Sequence, residues 1–124
     1  MANSKIKKPV WLKYTEDEVR EIIIKIIEKS PNTPTNPLPS DNSTNVDLNV
    51  SLSWICVDPT LFDKIKFDIY FGMTSPPPLI ISGHSINNYE IGIQLPNTTY
   101  YWKIVAKDKH GKTTTSPIWS FKTQ

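Results

Sequence analysis

Residues 98 to 108, TTYYWKIVAKD, set two tyrosines and a tryptophan side by side before alternating apolar with charged. Aromatic rings so grouped can stack bases, grip a sugar or cage a methylated amine, and they can equally fill a core. The other residues able to do chemistry are few. Cys56 is the single cysteine, so no intrachain disulfide is possible, and beside Trp54 it reads as a small buried hydrophobe. His84 and His110 sit in turn sequences with no cysteine or carboxylate at ligand spacing. Asp58 and Asp63 bracket Pro59, Thr60, Leu61 and Phe62, which offer too few oxygens for calcium. No serine elbow and no phosphate-cradling glycine loop occurs, and the chain has four glycines in all. The inventory predicts no catalytic residues, no cofactor and no metal.

Length and charge narrow the classes further. A chain of 124 residues has room for one domain and an appendage. A net charge of +2 is too small to argue for nucleic acid, and Lys5, Lys7, Lys8 and Lys13 read as a solvated basic tail. No apolar run is long enough to span a membrane, and the basic start lacks the apolar stretch of a secretory signal. The expectation is a cytoplasmic protein, or a module excised from a longer secreted parent. Asn42, Asn49 and Asn97 lie in N-x-S/T sequons, which permit a glycosylated setting without arguing for one.

Three kinds of segment must position these residues. In TEDEVREIIIKIIEK, residues 15 to 29, Val19, Ile22, Ile23, Ile26 and Ile27 mark one face of a helix. Thr15 and Glu18 have capping-box spacing, and Tyr14 is placed to staple onto Val19. Acidic residues crowd the first turn, Lys25 and Lys29 lie near the end, and Glu21 with Lys25 forms an i,i+4 pair. Pro31 ends the pattern. Prolines 31, 34, 37 and 39 then predict a stiff polyproline spacer over residues 31–39, a reading preferred to that of an SH3-type ligand.

From residue 46 the period becomes two. Leu48, Val50, Leu52, Trp54 and Cys56 share one face, as do Ile65, Phe67, Ile69 and Phe71, and Tyr100, Trp102, Ile104 and Ala106. Trp119 and Phe121 repeat the pattern near the end. Turn signals separate the runs, which predicts an antiparallel β-sandwich over residues 40–124, able to fold alone. Tyr100 and Trp102 then belong to the core, and Tyr101 alone points out.

The segments NPLPSDNSTNVDLNVSLSW and YYWKIVAKDKHGKTTTSPIWSF, with LPNTTY between them, resemble the fibronectin type III domain in its prokaryotic variant, over residues 34 to 124. The resemblance implies a mainly β fold of seven strands in two sheets with Greek-key connections, preceded here by one α-helix. It also implies that Tyr100 is a corner tyrosine bonded to upstream backbone. The integrin-binding RGD tripeptide of that family is absent. Separately, PVWLKYTEDEVREIIIKIIEK is similar over residues 9 to 29 to the opening helix of archaeal small-subunit ribosomal protein fifteen, without the basic helices that follow it there.

Together these readings predict a non-catalytic module of interaction or spacing, in three parts: tail and helix at 1–30, spacer at 31–39, sandwich at 40–124. The helix would dock to a protein partner or to a second copy. Its stripe of Val19, Ile22, Ile23, Ile26 and Ile27, and an outward sheet patch of Tyr70, Tyr101, Val105 and Ile118, are the candidate contacts. The alternatives are a ribosome- or RNA-associated protein using the N-terminal segment, and an accessory carbohydrate-binding module of a polysaccharide-degrading enzyme.

Overall fold

The computed structural model describes residues 13–58 and 64–124, with the backbone alone at 25–28. The tail before Lys13 and Asp63 of the acidic pair therefore lie outside the described residues. Among the described residues one helix, α1 (Glu16–Glu28), precedes nine strands: β1 (Thr35–Leu38), β2 (Ser43–Val46), β3 (Asn49–Ile55), β4 (Lys66–Gly72), β5 (Leu79–His84), β6 (Asn88–Ile93), β7 (Thr99–Lys107), β8 (Thr113–Thr115) and β9 (Trp119–Thr123). Three strands form a sheet in the order β1-β3-β6. The other six form a second, ordered β2-β9-β7-β4-β5, with β8 beside β7.

Nine strands stand where seven were expected, and proline is the reason. Leu38 pairs with Ser53 in the small sheet, whereas Ser43 pairs with Phe121 in the large one, so one extended segment crosses between sheets at Pro39 and Ser40. Proline has no N–H with which to continue a ladder. The crossing is stitched to β9: the Asn42 amide donates to the Ser120 carbonyl at 2.7 Å, and the Ser120 amide donates to Asp41 Oδ1 at 2.9 Å. Pro117 likewise parts β8 from β9. A second difference follows from the crossing, because β2 runs parallel to β9 within an otherwise antiparallel sandwich.

The period-two stripes do meet across the sandwich. Val50, Leu52 and Trp54 face Phe67, Ile69, Phe71, Tyr100, Trp102, Ile104, Ala106, Trp119 and Phe121 in one buried cluster. Trp102 is wholly buried and its ring centroid lies 4.8 Å from that of Trp119. Phe71 and Tyr100 stack at 5.1 Å. The Leu95 amide donates to the Tyr100 hydroxyl at 3.0 Å, which is the corner expected of this tyrosine. Each aromatic of this kind removes a large apolar area from water, and ring pairing adds to it.

The stretch read as a spacer holds the first strand of the sandwich. β1 falls within residues 31–39, and Pro31 and Pro34 are buried. The Thr114 hydroxyl donates to the Pro31 carbonyl at 2.6 Å, and the Asn32 amide donates to the Val57 carbonyl at 3.1 Å. The described sandwich thus begins at Pro31, and only Lys29 and Ser30 separate it from α1. Spacing by proline gave the wrong element because three of these prolines lie at or beside an edge strand, where a missing N–H costs no ladder bond.

Candidate interaction surface

The helix is built at its start as its sequence requires. Glu18 N donates to Thr15 Oγ1 at 3.2 Å and Thr15 N donates to Glu18 Oε1 at 3.1 Å, a reciprocal capping box. Arg20 pairs with Glu16 at 3.3 Å on an exposed surface, where such a bridge contributes little. Lys13 Nζ sits 5.4 Å from the centroid of the Tyr14 ring.

The described part of its apolar stripe, Val19, Ile22 and Ile23, is left in water. Val19, Ile22, Ile23 and Ile24 are between 41% and 51% exposed. The side chains of Lys25, Ile26 and Ile27 lie outside the described residues, so the Glu21–Lys25 pair does too. The outward sheet residues of the candidate patch are placed differently. Tyr70, Tyr101 and Val105 are half-buried and Ile118 is exposed. Polar side chains interleave them: Tyr70 stands opposite Lys103, whose Nζ lies 4.6 Å from the tyrosine centroid, and Val105 stands opposite Asp68. Asp68 in turn accepts from Ser82 Oγ at 2.7 Å and from the Gly83 amide at 3.0 Å. The patch is a charged and aromatic mosaic, and the described stripe residues Val19, Ile22 and Ile23 are exposed rather than covered by it.

The titratable candidates hold structural posts. Cys56 is half-buried and its thiol donates to the Asn32 carbonyl at 3.2 Å. Burial, and then the negative charge of Asp58, pushes its pKa up to about 11, the opposite of what a thiolate nucleophile needs. His84 Nε2 lies 2.7 Å from the Asn88 carbonyl and its ring meets Tyr89 edge-on, so this residue, placed by its sequence in a turn, ends β5 half-buried. Asp108 is buried and its Oδ1 accepts from the amides of His110 and Lys112, closing the turn between β7 and β8. Asn36, Asn42, Asn45 and Asn97 all have positive φ: Asn42 and Asn97 serve left-handed turns, and Asn36 and Asn45 sit at irregularities within β1 and β2. Two of those four belong to the sequons.

Sequence reading missed two surface features. A cleft of about 580 Å³ opens beside the β1–β3 pair, lined by Asn36, Leu38, Asp41, Ile55, Asn87 and Trp119 among others. No single run encodes it, since its walls come from four separated segments. An apolar rim also follows β5 and β6, where Leu79, Ile80, Ile86 and Leu95 are exposed and Ile93 is 81% so. The alternation of Tyr89, Ile91 and Ile93 points Ile93 inward, and the irregularity of the β3–β6 pairing around Gly92, whose φ is 94°, turns it out. Among the described residues no helix is long and apolar enough to cross a membrane, and no group of three metal-ligating side chains converges.

Two sheets closed face to face on an aromatic core, with crossed connections between them, define an immunoglobulin-like sandwich. Within that class the chain has the fibronectin type III fold. Its described sandwich is similar to a fibronectin type III domain of human fibronectin type III domain containing protein 3, at 21% identity and a TM-score of 0.56, covering 77% of this chain and 88% of that one. A Fn3-like protein from Clostridium thermocellum matches at 17% identity and a TM-score of 0.56, over 77% of this chain and 96% of its own. An α-L-rhamnosidase from Streptomyces avermitilis, solved with L-rhamnose, matches at 17% identity and a TM-score of 0.54, over 76% of this chain but 10% of its own. Neither a family model nor a curated protein matches the chain.

Proposed function

We propose that the protein is a non-catalytic interaction module in which a rigid sandwich presents an amphipathic helix for docking. One observation carries this: a helix with a formed capping box leaves the described part of its apolar stripe in water, two residues from an anchored sandwich. A helix of 13 residues is marginal on its own in water and gains its stability from whatever covers its apolar face. The interleaved Lys103 and Asp68 make the chain's own outer sheet a poor cover. Non-catalytic fibronectin-type modules among its structural relatives are compatible with this role.

The test compares thermal unfolding of residues 1–124 with that of residues 31–124. Equal midpoints for the sandwich transition are expected, because the helix adds nothing to the core. A midpoint lower by more than about 4 °C without the helix would place the stripe against the chain's own sandwich and overturn the proposal.

A further inference from the structure

We infer that the cleft beside the β1–β3 pair is a binding site for a neutral saccharide, separate from α1 and independent of its docking. The cleft has a local cause. Thr35 pairs with Ile55 and Leu38 with Ser53, so three steps along β1 match two along β3 and one residue is extra. A bulge of this kind bends its strand and re-aims side chains. Asn36, with a φ of 53°, sits in it, and the chain then leaves the small sheet at Pro39 and Ser40. The space of about 580 Å³ beside the bulge and the crossing falls in the size range of small-molecule sites. Trp54 and Trp119 are its buried wall.

The lining selects the class of ligand. Two of its polar groups are fixed in place. Asn87 Nδ2 donates to the Trp54 carbonyl at 2.8 Å, and the Trp54 amide donates to the Asn87 carbonyl at 3.2 Å. Asp41 Oδ1 accepts from the Ser120 amide at 2.9 Å. Each keeps a second acceptor, Asn87 Oδ1 and Asp41 Oδ2. Among the described residues the side chains of Asn36, Ser40, Ser53 and Asn88, which also line the cleft, have no hydrogen-bond partner. Leu38 and Ile55 add apolar surface and are 58% and 50% exposed. Neither lysine nor arginine lines the cleft, so a phosphate, sulfate or carboxylate would meet Asp41 without a counter-charge. A wholly apolar ligand would strand the amides and hydroxyls. A sugar meets both demands: its C–H faces suit Leu38 and Ile55, and its hydroxyls donate to the acceptors and accept from asparagine and serine. A peptide added as a further strand suits the place less, because this edge of β1 carries Pro37 and the bulge.

The test follows amide NMR shifts of the full chain during titration with cellobiose, xylobiose, mannobiose and diacetylchitobiose, each to about 20 mM, with inorganic phosphate as the charged probe. At least one sugar is expected to bind with a Kd of about 1 mM. It should move the amides of Leu38, Ser53, Ile55 and Asn88 and leave those of α1, Tyr70 and Lys103 in place. Asn88→Ala, at an exposed position, should weaken that binding about fivefold with the unfolding midpoint unchanged. Ser53→Phe should abolish it by filling the cleft, with the shifts of the core strands showing that the variant is folded. No response to any of the four sugars would overturn the inference, and so would shifts confined to another surface. Phosphate moving the cleft amides as strongly as a sugar would make this an anion site and overturn it too. An Asn88→Ala variant that binds as its parent does would have the same consequence. None of these outcomes touches the helix, whose docking role stands or falls on the unfolding comparison above.

Discussion

The hydroxyl of Thr114 donates to the carbonyl of Pro31 at 2.6 Å, across 83 residues of sequence. This bond, with that from the Asn32 amide to Val57, ends the freedom of the N-terminal segment two residues after the helix. Replacing Thr114 with Val should cost about 1 kcal/mol in denaturant unfolding, while Thr114→Ser should cost much less. Equal losses would mean that the methyl group matters and the bond does not.

Trimming the chain locates the sandwich boundary. Residues 31–124 should unfold cooperatively, whereas residues 40–124 lack β1 and buried Pro34 and should be less stable by roughly 3 kcal/mol or more. Equal unfolding midpoints for the two fragments would return residues 31–39 to the status of a spacer.

Trp102 and Tyr101 are neighbours with opposite fates. Trp102→Ala should cost about 3–5 kcal/mol, as a wholly buried aromatic does, and Tyr101→Ala well under half of that. Tyr100→Phe isolates the corner bond to the Leu95 amide and should cost about 1 kcal/mol. Calorimetry of the three variants would check the order.

Thr15→Ala removes the hydroxyl that accepts from the Glu18 amide and leaves only the backbone half of the capping box. Helix content should fall, with a loss of about 1 kcal/mol of helix stability, seen as faster amide exchange in residues 16–24. Exchange in β7 should stay as it is, since the helix face is not part of the core.

Cys56 gives a pH dependence. Its thiol has a pKa near 9.0 in an unfolded chain and about 11 in the fold, chiefly through burial. The folded state therefore holds its proton more tightly. The stability this contributes is complete below pH 9 and is lost as pH rises through 11. Alkylation should be slow at pH 8 and accelerate towards pH 11. Rapid labelling of the native protein at pH 8 would show an accessible, acidic thiol.

Much of the fold was legible because strands with one buried face declare themselves by alternation. The Leu52–Trp54 and Tyr100–Ala106 stripes and the phase of Tyr101 could be read along the chain, since each depends on which face a residue takes, whereas the Tyr100 corner came only with the resemblance to the fibronectin type III domain. The Thr15–Glu18 box was readable for a similar reason, because its partners are three residues apart. The candidate surface was legible only in half. Its helical stripe has a local period, but the company kept by Tyr70, Tyr101 and Val105 depends on which residues of another strand lie opposite, and those proved to be Lys103, Tyr101's neighbour Gly72, and Asp68.

The amino-acid sequence by itself determined the helix and its cap, the inward residues of the long strands and the absence of a disulfide within these 124 residues. Those properties follow from spacing within short windows and from residue type. Only the tertiary structure decided that residues 35–38 pair as a strand, that the first extended segment crosses between sheets at Pro39, and that β2 runs parallel to β9. Proline forbids an N–H donor but does not say whether the chain beside it is an edge strand or a free spacer. That choice rests on partners such as Ser53, Val57 and Thr114, which lie far along the chain and come within bonding distance only when the two sheets close.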